Sequence, residues 1–193
     1  MNTLPQSKPE NTKVLRSKLK LRKSLLELLK SRAISRITVQ ELCSEAQVNR
    51  TTFYKYYKNV DDLLEHIETS ILDDFRYIAQ HLPVTKNPDS FIHICLELVY
   101  KNNDMAQAIF ASGKYELARQ IFGIFHDQFI EYWRNSLNCN DPKTLEMIYF
   151  FVMNGVIGIV SRRTDGTIQA DAEELGNFIH RITNQGVAAF TRA

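Results

Sequence analysis

The sequence predicts an all-α protein of about nine helices, on three observations. No stretch shows a credible strand alternation, and only seven of the 193 residues are glycine. Apolar residues recur instead at spacings of three and four, the period of a helix with one buried face. Asn87-Pro88 and Asp141-Pro142 each set a capping side chain before a proline at the first helical position, where a missing N–H costs nothing.

The elements follow in order. Residues 1–12 read as a flexible polar arm with Pro5 and Pro9 and no apolar core, unlike a signal peptide. Leu21, Leu25, Leu28 and Leu29 then mark the inner face of a first helix, with Arg22, Lys23, Glu27 and Lys30 outside. Thr38 and Glu41 have capping-box spacing, so Thr38 caps a second helix that Glu41 closes from inside. Its Val39, Leu42, Cys43 and Ala46 share one face. Gln47-Val48 breaks the pattern, and Asn49 caps a third helix. There Phe53, Tyr56, Tyr57 and Val60 form a packing stripe opposite Arg50, Thr51, Tyr54, Lys55 and Lys58. Asn59 and Asp62 cap a fourth helix that buries Leu63, Leu64, Ile67, Ile71, Phe75 and Ile78 and ends near His81, before Pro83. Helices are expected over about 88–100, 105–111, 115–137, 143–163 and 172–190, the last with Asp171 and Glu174 at its start.

Charge divides the chain. Residues 1–58 hold 13 Lys and Arg against 4 Asp and Glu; the remainder holds 11 against 18. A net charge of +2 therefore conceals a polyanion-binding end joined to an acidic body. Cys43, Cys95 and Cys139 are odd in number and lack metal-ligand spacing, which fits a reducing cytoplasm. The longest apolar run, 147–160, contains Asn154 and is shorter than the roughly 20 residues of a membrane span, so it reads as a buried helix.

The stretch TVQELCSEAQVNRTTFYKYYKNVDDLL, residues 38–64, is thus two short helices and a turn with a cationic, hydroxyl-bearing surface. It resembles the DNA-binding domain of the tetracycline-repressor (TetR/AcrR) family of bacterial regulators, with the Thr38 start, the Thr52-Phe53-Tyr54 triplet and the Leu63-Leu64 pair in register. Two positions depart from that pattern: Gln47 replaces the usual turn glycine, and Val60 replaces a phosphate-contacting lysine. Lys58 or the amides of the fourth helix would substitute for that lysine. The resemblance implies a head at 13–60 and an effector-binding and dimerisation domain at 61–193.

A helix-turn-helix sets its second helix in the major groove of double-stranded DNA, and a dimer reads two half-sites. Arg50 and Thr51 sit where that helix meets base edges, the arginine suited to guanine and the threonine methyl to thymine. Tyr54, Lys55 and Lys58 suit phosphate, as do the Thr38 hydroxyl and its helix N-terminus. Thr52 and Tyr56 complete the expected DNA-binding set, and Lys18, Lys20 and Arg22 are candidates for further contacts.

In the body, the run YFFVMNGVIGIV is apolar almost all round, with Gly155 and Gly158 permitting close approach. Phe178, Ile179, Ile182 and Val187 give the last helix an apolar face. The resemblance implies a homodimer through the last two helices; this C-terminal region is similar to a type common in low-GC Gram-positive bacteria. It also implies a repressor that answers to a small-molecule effector. His93, Tyr115, Trp133 and Asn154 are the first polar or amphipathic candidates for such a site. The many other aromatics, Phe91, Phe110, Phe122, Phe125, Phe129, Tyr149 and Phe150, are read first as core. No histidine and cysteine spacing suits a metal, no cofactor is expected, and no phosphate loop, nucleophile elbow or carboxylate pair supports an enzyme. The alternative is a protein of the same fold that works mainly through a protein partner.

Overall fold

The computed structural model describes residues 12–84, 88–111 and 115–188. The expected arm, apart from Thr12, lies outside them, as do the expected end of the last helix near Phe190 and the side chains of Phe91 and Val187. Nine α-helices account for the regular structure of the described residues, together with a 3₁₀ turn at Ile34–Arg36. They are α1 (Thr12–Leu29), α2 (Val39–Glu45), α3 (Arg50–Tyr54), α4 (Val60–His81), α5 (Pro88–Lys101), α6 (Asn103–Ala111), α7 (Glu116–Leu137), α8 (Pro142–Thr164) and α9 (Ala172–Ala188). The chain divides into two compact units after Ile67, inside α4.

The head is built on side chains that leave water almost completely. Leu21 and Leu25 of α1, Leu42 of α2 and Phe53 of α3 are fully buried, joined by Leu26, Cys43, Ala46, Tyr57, Val60, Leu63 and Ile67. The α1 face is turned slightly from the one expected, because Leu26 is buried while Leu28 and Leu29 are only half-buried. The helix stops at Leu29, and Lys30 and Arg32 bond back to the carbonyls of Glu27 and Leu28, so the last turn leaves the core.

In the body, α7 lies along α8, α5 along α9 and α6 against α8. Phe125 meets Phe75 edge-on, ring centroids 6.3 Å apart, and Trp133 stacks on Phe129 at 5.3 Å. A second cluster gathers Leu96, Val160, Leu175 and Ile179 under Tyr100 and Phe110. Gln128 of α7 fastens the end of α4, donating to the Ala79 carbonyl at 3.0 Å and accepting from the Val84 amide at 2.9 Å. The caps expected at Asp141 and Asp171 form, Asp141 accepting from the amides of Lys143 and Thr144 and Asp171 from that of Glu174 at 2.8 Å, while the expected cap at Asn87 lies outside the described residues.

The apolar run is longer as a helix than as a string of residues. α8 spans 23 residues and by length and composition alone could cross a membrane. Its core-facing row of Leu145, Ile148, Tyr149, Met153, Ile157 and Val160 is nevertheless buried within this body, and Arg162 and Arg163 close its last turn.

Candidate nucleic-acid interface

The site begins with the turn between α2 and α3. Thr38 caps α2 through its hydroxyl, which accepts from the Glu41 amide at 3.2 Å. The Glu41 carboxylate does not complete the expected box; it pairs with Arg32, whose guanidinium is a stronger partner than a backbone amide. At the other end, the Val48 amide reaches the Cys43 carbonyl (3.0 Å) and the Gln47 amide the Ser44 carbonyl (3.2 Å). That bond pair requires a left-handed residue between, and Gln47 supplies it at φ 51°. A side chain in that conformation costs about 1 kcal/mol relative to glycine.

Asn49 then starts α3, its side chain accepting from the Thr51 amide at 2.8 Å. The helix is shorter than its sequence suggests, ending at Tyr54 with Lys55 as its C-cap. Tyr56, Tyr57 and Lys58 therefore lie in the following turn and Val60 opens α4, although Tyr57 and Val60 are buried as expected. The reason is a second capping event: the Asn59 side chain accepts from the Asp62 amide, and the Asp62 carboxylate accepts from the Lys58 amide, each at 2.8 Å. The first of those bonds occupies the Asp62 amide, one of the α4 amides that the missing lysine had left as candidates for phosphate.

Phe53 anchors the helix from beneath, fully buried, with Tyr54 edge-on at 5.5 Å and Tyr57 at 5.6 Å. Above it, Thr38, Arg50, Thr51, Tyr54, Lys55 and Lys58 are exposed, Tyr54 by 53%, while Thr52 and Tyr56 are half-buried. Seven of the eight expected DNA-facing residues thus lie on or just after one short helix whose first turn holds no acidic residue, and Thr38 caps the helix before it. The Lys18 ammonium stands 5.0 Å over the Tyr56 ring, a cation–π contact that the spacing of 38 residues hid from sequence reasoning. Burial pushes the Cys43 thiol up, against the opposite pull of Arg50, so the thiol stays neutral beneath the helix.

Residues 21–67 match the family model described as bacterial regulatory proteins, tetR family. The head is thus a TetR-type DNA-binding domain. Solved structures extend the likeness of fold beyond the TetR head. A dihydroxyacetone kinase operon activator, DhaS, is 16% identical with a TM-score of 0.61, covering 90% of this chain and 97% of its own. A TetR transcriptional regulator from Streptococcus agalactiae is 16% identical with a TM-score of 0.63, covering 89% and 95%. FadR of Thermus thermophilus, a TetR-family repressor solved with lauroyl-CoA, is 19% identical at a TM-score of 0.53, covering 88% and 94%. No curated protein matches the chain in sequence.

The four effector candidates stand in different surroundings. Trp133 is 1% exposed in the α7 core. Asn154 is exposed and donates to the Phe150 carbonyl of its own helix. Tyr115, left-handed at φ 47°, lies 3.4 Å through its hydroxyl from Ser161. His93 packs on Gly176, where any Cβ would meet its ring at 2.5 Å. Among the described residues no group of three acidic, histidine or cysteine side chains could hold a metal.

The body has an exposed surface of its own. Met147, Phe150 and Phe151 of α8 and Phe178 and Ile182 of α9 are all at least half exposed, Phe151 by 79%. An apolar groove of about 680 Å³ runs between the two helices past Met147, Phe151, Gly155, Phe178 and Ile182. A Cβ on Gly155 or Gly158 would meet nothing within 4 Å. These glycines leave room that no described part of the same chain uses.

Proposed function

We propose that this protein is a sequence-specific transcriptional regulator, a repressor that binds a pseudo-palindromic operator as a homodimer and answers to a small-molecule effector. One observation carries the reading: Arg50, Thr51, Tyr54, Lys55 and Lys58 stand exposed around a helix that is capped by Asn49 and anchored by Phe53. Arg50 and Thr51, in its first turn, read base edges; Thr38, Tyr54, Lys55 and Lys58 hold phosphate, and Thr52 and Tyr56 support them. The exposed apolar face of α8 and α9 supports the dimer, since contiguous apolar surface at this scale marks an interaction site. A domain division at about residue 60 goes with this reading, the body carrying dimer and effector functions. The lauroyl-CoA complex of one structural neighbour supports an effector in the body, with His93, Tyr115, Trp133 and Asn154 as the residues to probe. Binding of chromosomal DNA and the three free cysteines support a cytoplasmic location.

Selection of binding sites from a random duplex library tests this directly. An enriched inverted repeat is expected, bound with a log–log salt slope of about −7 if each subunit neutralises about four phosphates. Tyr54→Ala should abolish that binding with helicity and dimerisation intact. Full affinity in the variant, or no enrichment with folded wild-type protein, would overturn the reading.

A further inference from the structure

His126 of α7 has carboxylates on both sides of its ring. Nδ1 lies 2.9 Å from an Asp127 oxygen and Nε2 3.0 Å from a Glu146 oxygen on α8. A neutral imidazole has one N–H and one lone pair, and an ionised carboxylate only accepts. Both contacts therefore become hydrogen bonds together when both ring nitrogens carry protons. The rest of the surroundings suits that state. Tyr149 of α8 meets the ring edge-on at 4.6 Å. Its phenol is pushed up to about 12, by burial first and then by the charges of Glu146 and Asp127, so it stays neutral across the relevant range.

The geometry points to a proton-operated clamp between α7 and α8: doubly protonated His126 joins Asp127 to Glu146, and loss of one proton releases one of the two bonds. The Asp127 hydrogen bond is the largest cause holding the imidazolium above the ordinary histidine range; burial opposes it, and Glu146 adds to it by hydrogen bond and charge. A folded-state value above the unfolded one means that the clamp contributes fully below the ordinary histidine value. Its contribution is lost as pH rises through the folded value. The device sits one residue before Met147, on the helix with the exposed apolar face, so proton binding bears on how firmly that face is held. It is independent of whether the head binds DNA.

The test is a side-chain NMR titration of the five histidines in the intact protein, with Glu146→Gln and His126→Asn beside it. His126 is expected to titrate above the ordinary histidine value. Glu146→Gln should move its midpoint down, and the melting-temperature advantage of wild type over His126→Asn should shrink between pH 6 and pH 9. A His126 midpoint at or below the ordinary value overturns the clamp, and wild-type protein alone decides that point. A midpoint unmoved by Glu146→Gln, or a pH-independent advantage, overturns it equally.

Discussion

The two units expose opposite kinds of surface. The head buries its aromatic Phe53 and presents arginine, lysine, threonine and the Tyr54 hydroxyl to water; the body presents phenylalanine, methionine and isoleucine along α8 and α9. The head secures its short helices with local bonds: Thr38, Asn49 and Asn59 each cap a helix within three residues. The body also brings side chains together from distant positions, such as Phe75 with Phe125. A surface that reads a polyanion needs charge on a fixed helix, whereas one that meets another protein surface needs apolar area. The same all-α vocabulary serves both.

Variants that act on one unit sharpen this contrast. Trp133→Ala, which empties the most enclosed large side chain of the body, should lower unfolding stability by about 3–5 kcal/mol in denaturant titration. At a temperature where the variant stays folded, its affinity for the selected duplex should equal that of wild type. A loss beyond the unfolded fraction would mean that body packing also sets the head's readout. A smaller effect is expected in the head. Gln47→Gly relieves a left-handed side chain and should stabilise the protein by up to about 1 kcal/mol. Destabilisation would show that the Gln47 side chain contributes something its backbone does not.

Much of the head was legible because its signals are local. Thr38, Asn49 and Asn59 mark helix starts by their own chemistry, and the cationic residues follow in register. The end of α3 was not legible, since the aromatic run from Phe53 to Tyr57 continues a helical period. Only the bonds among Lys58, Asn59 and Asp62 show where the chain turns. Glu41 was misread for the opposite reason: Arg32, nine residues away, competes for its carboxylate. In the body the helix starts at Asp141 and Asp171 could be read, and so could the apolar character of α8 and α9. Which aromatics become core could not: Phe125, Phe129, Trp133 and Tyr149 are buried while Phe150 is 59% exposed, a matter of which face meets a neighbour. The His126 cluster was hidden likewise, because Glu146 lies 20 residues on, in another helix.

The central claim is that the apolar face joins two chains so that two heads can read one site. Sedimentation velocity of wild type and Phe151→Glu, free and with the selected duplex, tests it most directly. Phe151 is already exposed in the single chain, so the substitution should leave the fold intact while setting a charge in the proposed contact. That should weaken self-association by about 100-fold or more, the scale of burying an unpaired charge. The account predicts two wild-type chains per duplex and a variant that is a free monomer with greatly weakened binding. A variant that stays dimeric and binds the duplex like wild type would contradict it.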